Sequence, residues 1–226
     1  MKKVILGLAA ILFIALSSCM SGDEKKTKEP EATIPADSTL MMVVRFQVPD
    51  YNQFYSLYDM HDSLRAAYGI SRYMLARELE DSSKTIIVEK IEDLNRAKEF
   101  TNSEALKAAM ASAGFSGPPT FDFIKVIRND NSPLDIKTRV MVKHRVKDFD
   151  AWLKVYDDEG MKTRAEYGMI DRGLARGAED PNMVYIIFAI SDMDKAMARN
   201  TSPELKAIMM TAGVEGPPEV VMYNIQ

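Results

Sequence analysis

The sequence predicts an α+β protein in which one folding unit occurs twice in tandem. Segments of the chain recur at an offset of about 99 positions, which is far longer than the period of a solenoid repeat. Leu75-Ala76-Arg77 recurs as Leu174-Ala175-Arg176, and the stretch 113–119 recurs as 212–218, each ending in Gly-Pro-Pro. Strand and helix patterns also follow in the same order within each copy. We therefore expect a duplicated domain.

Each copy begins with a strand and a helix. Residues 42–48 and 140–146 are rich in branched side chains, which is typical of strands. In the following helix, apolar side chains recur at i, i+3, i+4 and i+7 and form one stripe. The stripe residues are Tyr51, Phe54, Tyr55 and Tyr58 in the first copy and Phe149, Trp152, Leu153 and Tyr156 in the second. The predicted helix caps are Asp50 and Asp148 before each helix and Gly69 and Gly168 after it.

The rest of each copy reads as a hairpin, a helix and a last strand. In the first copy, residues 71–79 and 84–91 are predicted strands joined by a polar turn. Asp93 opens the next helix, Ser103 restarts it after an interruption, and a strand over 121–127 ends the copy. The second copy repeats this order from Asp192 and Ser202 to a last strand over 220–225. The order strand, helix, strand, strand, helix, strand is the ferredoxin-like βαββαβ plan.

A single ferredoxin-like sheet carries its helices on one face and leaves the other face uncovered. The second copy supplies the missing cover. The segment Val146-Lys147-Asp148-Phe149-Asp150-Ala151-Trp152 and the stretch 202–218 resemble the dimeric α+β barrel superfamily, above all small proteins related to the antibiotic-biosynthesis monooxygenases. The resemblance covers nearly the whole folded part and implies an intramolecular dimeric α+β barrel, a pseudo-dimer with a helix–sheet cleft in each copy. It does not define a function, because the superfamily includes oxygenases, haem-handling enzymes, isomerases and ligand sensors.

The N-terminal segment is predicted to target the protein. Lys2 and Lys3 precede a short apolar run, and Leu16-Ser17-Ser18-Cys19 resembles the lipobox of bacterial lipoproteins. The resemblance implies a signal peptide over 1–18 and a lipid anchor, with acyl chains such as palmitate, on Cys19, the only cysteine of the chain. Because Met20 rather than an aspartate follows, we expect the outer membrane of the cell envelope, on either its periplasmic or its surface face.

The composition of the chain indicates its domain boundaries and its expected partners. Residues 19–39 are polar and are predicted to form a disordered tether. We expect the first repeat over 40–128, a linker over 129–137 and the second repeat over 138–226. The net charge is −4 and no basic stripe occurs, so nucleic acid is not an expected partner. The expected partners are the membrane through the lipid anchor, a small apolar or anionic ligand, or another envelope protein.

Of the two histidines, His144 is the stronger candidate for a catalytic or ligand-binding role. It alternates with Val142 and Val146 on a strand, so it is predicted to face the apolar side that Val44 and Phe46 occupy in the first copy. There it serves either as an acid, base or haem ligand, or as a core histidine. His61 lies near Asp59 and Asp62 on the first helix. These three side chains either bind a metal ion or form a solvated face of the helix.

Four further side chains are candidate ligand contacts. Arg77 and Arg176 occupy the same strand position in the two copies, where they either hold an anionic ligand or pair with the acidic residues of the hairpin turns. Tyr58 and Tyr156 either line a pocket with their hydroxyl groups or belong to the core. No zinc spacing, phosphate loop or catalytic triad is visible, so we expect no metal, no cofactor and no assignable catalytic residue.

Two functions from different classes follow. The first is a non-catalytic, membrane-anchored envelope lipoprotein that binds a small ligand or a protein partner. The second is a cofactor-independent or haem-linked monooxygenase-like enzyme that uses His144 or the tyrosines in a cleft. A sizeable pocket beside His144 would favour the enzyme, and a filled cleft would favour the binding protein.

Overall fold

The structure is a computed structural model that describes residues 39–225. The predicted signal peptide, the predicted lipidation site Cys19 and nearly all of the predicted tether lie outside this range. Within it, no helix has both the length and the apolar character needed to cross a membrane.

The elements follow the predicted order in both copies. The first repeat contains β1 (Leu40–Gln47), α1 (Tyr51–Met60), α2 (Asp62–Ala67), β2 (Ile70–Glu78), β3 (Lys84–Ile91), α3 (Leu94–Asn102), α4 (Glu104–Ser112) and β4 (Thr120–Asn129). The second repeat contains β5 (Thr138–Val146), α5 (Phe149–Glu159), α6 (Met161–Glu166), β6 (Met169–Gly177), β7 (Met183–Ile190), α7 (Met193–Asn200), α8 (Pro203–Thr211) and β8 (Val214–Ile225).

The eight strands close into one antiparallel barrel in the order β1-β3-β2-β8-β5-β7-β6-β4. Each repeat supplies four neighbouring strands, and the repeats are joined by the β2–β8 and β4–β6 ladders. The predicted α+β fold of two tandem ferredoxin-like units is therefore confirmed. The inner faces of both sheets now face a common lumen, which removes the uncovered face that a single repeat would expose.

Strand alternation divides the apolar side chains into three cores. In β1, Met42, Val44 and Phe46 pack against the helices of the first repeat, whereas Met41 and Val43 face the lumen. The second repeat has its own helix–sheet core, centred on Phe149 and Trp152. The lumen core draws side chains from both repeats and ties them into one body.

The predicted first helix of each copy is in fact broken. In the first repeat, α1 ends at Met60 and α2 begins at Asp62, and the Arg65 guanidinium donates a 2.7 Å hydrogen bond to the carbonyl of Tyr58. In the second repeat, Gly160 ends α5 with a φ of 79°, and Arg164 donates a hydrogen bond of the same length to the carbonyl of Tyr156. An arginine that takes a carbonyl at the end of a helix favours its termination there.

The last strand of the second repeat is longer than predicted. The sequence predicts a start at residue 220, with the double proline outside the strand, but β8 begins at Val214 and runs through Pro217 and Pro218. These prolines lie in a bulge, where residues 215–219 of β8 face only residues 143–145 of β5. Proline is accommodated at a bulge because no ladder hydrogen bond is required from its nitrogen.

Candidate functional site

A cavity of about 690 Å³ lies in the barrel, a volume within the usual range of small-molecule sites. Its walls are apolar side chains that point inward from the strands: Val43, Ile86, Val88, Ile124, Val126 and Ile187. The lining also includes Tyr55 and Tyr73, whose exposed fractions are 38% and 37%. The cavity therefore reaches the surface at the rim that carries these two tyrosines.

Two ion pairs cross the lumen at the opposite end. Arg45 on β1 pairs with Glu219 on β8, and Lys143 on β5 pairs with Asp122 on β4 at 2.8 Å. In each pair the two strands are not neighbours in the barrel, so the side chains must span the interior. Tyr185 lies beneath the Lys143 ammonium, 5.4 Å from its ring centroid, and forms the floor of the cavity at this end. We call these two ion pairs the plug.

The rim is held by the segment that joins the two repeats. The Tyr73 hydroxyl donates to Asn131 at 2.7 Å, and Arg172 donates to Asp130 at 2.8 Å. Tyr73 and Arg172 occupy equivalent positions, each at a bulge, because β2 slips in register between Arg72 and Met74 and β6 between Asp171 and Gly173. The bulges turn these two side chains toward the rim, where both line the cavity.

Arg139 is the one lining arginine without a carboxylate partner among residues 39–225. It is only 6% exposed, and its Nη1 donates to the carbonyls of Ile136 and Thr138, the latter at 3.2 Å. Burial lowers the pKa of Arg139, and the nearby positive charge of Arg172 lowers it further. The site thus holds a buried positive charge that the described part of the chain does not neutralise.

Tyr223 lies beside Arg139, as its direct partner across the β5–β8 ladder. It is 3% exposed and lines the cavity, and its hydroxyl has no hydrogen-bond acceptor within residues 39–225. Burial raises the pKa of Tyr223, which keeps the phenol protonated and able to donate. Arg139 and Tyr223 together place hydrogen-bond donors at one wall of the lumen.

The two repeats differ at several positions that line the cavity. Met41 and Ile124 are paired in the first repeat as Arg139 and Tyr223 are in the second, and Ile86 stands where Tyr185 does. Gly173 likewise replaces Met74, so the second repeat leaves room where the first has a side chain. At these positions the first repeat is apolar, and its polar lining groups, such as Tyr73, lie at the rim.

Comparison with protein-family models and with curated proteins finds no match. Solved structures do match. An anthrone oxidase-like protein aligns with a TM-score of 0.55 at 14% identity, covering 84% of this chain and 92% of that one. A putative monooxygenase from Fusobacterium nucleatum gives 0.53 at 15% identity, over 83% and 92% of the two chains. One from Lactobacillus acidophilus gives 0.50 at 13% identity, over 84% and 94%.

The chain has the dimeric α+β barrel fold. At these identities the likeness establishes the fold and leaves the function open. In this dimeric α+β barrel, both repeats are part of one chain, so side chains on the two halves are free to differ.

His144 faces the helix side of this dimeric α+β barrel. Its ring lies edge-on to Trp152 at 5.6 Å, and neither ring nitrogen has a hydrogen-bond partner within residues 39–225. Burial lowers the pKa of His144 to about 4, so the ring is neutral at pH 7. His144 lines neither the lumen cavity nor the cleft of the first repeat, and it does not meet the arginines or Tyr58 that the sequence singled out.

Tyr58 and Tyr156 each donate to a carboxylate beneath an arginine. Tyr58 donates to Glu89 on β3 at 2.8 Å, and Tyr156 donates to Asp171 on β6 at 2.9 Å. In the second repeat, Arg164 donates to both oxygens of the same Asp171, at 2.8 and 2.6 Å. The two carboxylates come from different strands: Glu89 lies on β3 of the first repeat and Asp171 on β6 of the second. Asp171 pairs across the ladder with Phe188, the residue equivalent to Glu89. A carboxylate from either strand can therefore reach the tyrosine.

Arg77 and Arg176 lie away from both cavities. The Arg77 guanidinium lies 4.8 Å from the ring centroid of Tyr51, and Arg176 lies at the same distance from Phe149. Neither pairs with an acidic residue of its hairpin turn in the described range; Arg77 instead donates to the carbonyl of Ser82 at 2.8 Å. The turn-pairing interpretation was therefore wrong, because each guanidinium covers the first aromatic ring of the neighbouring helix.

A second cavity of about 80 Å³ lies in the helix–sheet cleft of the first repeat, lined in part by Tyr58, His61, Arg65 and Glu89. Burial raises the pKa of Glu89. His61 does not form a metal site with its neighbours, because its Nδ1 contacts the carbonyl of Leu57 at 2.6 Å and Asp59 pairs with Arg72. Across residues 39–225, no three His, Cys, Asp or Glu side chains are grouped to hold a metal ion.

Sequence reasoning did not single out Arg139, Arg172 or Tyr223. These residues can be recognised only once the two bulges and the closed barrel are known, because those features determine which strand residues face the lumen. One signal was available: a charged or polar residue in one copy opposite an apolar residue in the other, as with Arg139 and Met41. A second signal was an arginine that follows the helix tyrosine by about two turns in both copies, Arg65 after Tyr58 and Arg164 after Tyr156.

Proposed function

We propose that this protein binds a small, largely apolar molecule inside its barrel and does not itself catalyse a reaction. The observation that carries the proposal is the lumen cavity of about 690 Å³ with apolar walls and one open rim. Protein interiors are normally packed to near crystalline density, and barrels of this strand number can be filled by their own side chains. Because the lumen is open at its rim, water can enter it, and an apolar ligand that displaces this water would remove the apolar walls from contact with water, which favours binding.

Binding of the neutral fluorescent probe N-phenyl-1-naphthylamine to the soluble chain from residue 39 onward tests this proposal. The Gly173→Met variant places in the second repeat the side chain that Met74 provides in the first, and it should fill the lumen. A Cβ at Gly173 would meet Ile187 at 3.4 Å, an ordinary contact at its lower limit. We expect the wild-type protein to bind the probe and Gly173→Met to bind it at least about tenfold more weakly.

Met210→Ala, which alters an exposed side chain, serves as the matched control and should bind the probe like the wild type. Absence of probe binding to the wild type, or equal binding to Gly173→Met, would remove the proposal. Circular dichroism of each variant establishes that the fold is retained.

We also propose that the barrel is held at the cell envelope, at the outer membrane, by a lipid on Cys19. The support is the basic start, the short apolar run and the Leu16-Ser17-Ser18-Cys19 motif. Metabolic labelling with a palmitate analogue in the host should mark the wild type and leave Cys19→Ala unlabelled. Recovery of an unlabelled wild-type protein from the soluble fraction would contradict the anchor.

A second candidate function is a cofactor-independent oxygenase in the cleft of the first repeat. It is supported by the fold neighbours named as monooxygenases and by the buried Glu89 carboxylate beside the smaller cavity. His144 no longer supports it, since no described cavity adjoins its ring. Oxygen consumption with anthrone as the probe substrate, lost in Glu89→Gln, would favour the enzyme; no consumption would leave the binding function.

A further inference from the structure

We propose that the ligand of the lumen is a monocarboxylate with an apolar body, that Arg139 and Tyr223 bind its carboxylate, and that one molecule binds per chain. This inference rests on the proposed function and adds the class of ligand and the number of sites.

The free edge of Arg139 has the geometry that a carboxylate requires. Nη1 is already used by the carbonyls of Ile136 and Thr138, whereas Nε and Nη2 have no acceptor among residues 39–225. Those two nitrogens form the side of the guanidinium that presents two parallel N–H groups, which matches the two oxygens of a carboxylate. The Tyr223 hydroxyl, on the neighbouring strand, adds a third donor.

The charges around the cavity favour a single negative charge on the ligand. Three other arginines line it, and each holds a carboxylate: Arg72 with Asp59, Arg128 with Asp157, and Arg172 with Asp130. Within residues 39–225, Arg139 therefore leaves one positive charge in excess at the cavity. A neutral ligand would leave this buried charge unpaired, which is unfavourable, and a dianion would bring a second negative charge that Arg139 cannot match.

The pseudo-symmetry of the barrel predicts one head-group site. The positions equivalent to Arg139 and Tyr223 in the first repeat are Met41 and Ile124, which pair with each other in the same way. They cannot bind a carboxylate. Lys143 of the plug follows Arg139 by four residues on β5, or roughly 13 Å along the strand. The apolar body is thus expected between Arg139, near the rim, and the plug.

The test uses isothermal titration calorimetry to compare decanoic acid with its methyl ester, two probes that share one ten-carbon chain, short enough for the space between Arg139 and the plug, and differ in charge. We expect the wild-type protein, from residue 39 onward, to bind one acid molecule per chain, about tenfold or more tighter than the ester. Arg139→Met, which copies Met41 of the first repeat, should lose this preference and keep ester binding. Tyr223→Phe should weaken the preference more mildly. Arg77→Met, a change outside the cavity, is the matched control.

Each outcome separates the two proposals. Equal affinity of the wild type for acid and ester, or two acid molecules per chain, overturns the carboxylate site while the lumen-binding function stands. Failure of both probes to bind overturns the lumen-binding function itself. If Arg139→Met does not fold, the comparison of acid with ester on the wild type and on Tyr223→Phe still decides the inference.

Discussion

At the scale of single residues, His144 shows how burial alone sets a protonation state. The ring occupies the position that Phe46 holds in the first repeat and packs against Trp152. With no partner for either nitrogen in the described part of the chain, a proton on the ring would be unsatisfied. The histidine therefore acts in the core as a neutral aromatic ring.

Replacing His144 by Phe should remove part of the acid sensitivity of the fold. The pKa is about 4 in the folded state against the ordinary value of 6.5, so the unfolded state takes up the proton first as the pH falls. The stability that depends on a neutral ring is present above pH 6.5 and is lost as the pH falls toward 4. The loss is on the order of 3 kcal/mol.

Urea unfolding followed by far-UV circular dichroism at pH 7 and pH 4.5 measures this effect. The difference in unfolding free energy between the two pH values should be smaller in His144→Phe than in the wild type. Phe46→His, the reverse exchange in the first repeat, should increase it. An unchanged difference in His144→Phe would mean that the ring is already protonated or solvated in the folded state.

The two carboxylates beneath the tyrosines should respond differently to neutralisation. Asp171 accepts two hydrogen bonds from Arg164 and one from Tyr156, so Asp171→Asn should cost about 3 kcal/mol by removing the main partner of a buried guanidinium, which then keeps only the Glu159 carboxylate at 3.5 Å. Glu89 lies 3.3 Å from the buried Arg65 guanidinium without such a double hydrogen bond, and burial raises its pKa, so Glu89→Gln should cost less, roughly 1 kcal/mol. Chemical denaturation at pH 7 compares them, and a larger loss for Glu89→Gln would contradict this assignment.

At the scale of elements, local signals predicted the caps and missed the breaks. Asp50, Asp93, Asp148 and Asp192 all accept backbone hydrogen bonds at the start of their helices, as the sequence predicted. The break after Glu159 lies at Gly160, whose φ is 79°, so a local signal for it was present in the sequence and was missed. The break after Met60 has no such glycine, and only the bond from Arg65 to the carbonyl of Tyr58 marks it. The bulges depend on the register between strands, which a pattern read along the chain does not reveal.

Gly168, which lies between α6 and β6, should tolerate an added side chain less well than Gly216. Its φ is 76°, and an added Cβ would lie 2.5 Å from the carbonyl oxygen of Asp192. Gly216 has a φ of 71° with nothing within 4 Å of an added Cβ. Gly216→Ala should therefore cost only the backbone strain, about 1 kcal/mol, whereas Gly168→Ala should cost several times more or prevent folding.

Thermal unfolding of the two variants measures this difference. Equal losses would mean that the backbone near Asp192 moves aside without cost. A loss confined to Gly216→Ala would contradict the steric argument altogether.

At the scale of the whole molecule, the lumen core joins the two repeats, and we expect them to unfold together. Side chains from both halves pack in it, and the β2–β8 and β4–β6 ladders close the barrel. Trp152, the only tryptophan of the chain, reports on the second repeat, and far-UV circular dichroism reports on both. Denaturant transitions followed by the two signals should coincide. A tryptophan transition that precedes or follows the other would show that the repeats unfold separately.

The sequence predicted this architecture because the duplication repeats every element signal twice. The cavity could not be predicted in the same way. Its volume depends on the exchange of Met74 for Gly173, and its charge depends on Arg139 remaining without a carboxylate once the barrel has closed. Both are properties of side chains that lie far apart in the chain and meet only in the lumen.

The plug also bears on how quickly a ligand would exchange under the proposed binding function. Arg45–Glu219 and Lys143–Asp122 obstruct one end of the lumen, so the ligand would enter and leave by the rim, and the water that it displaces would leave by the same opening. A channel closed at one end slows arrival and escape alike and leaves the affinity unchanged. We therefore expect such a site to hold a molecule for long periods and to follow changes in its concentration only slowly.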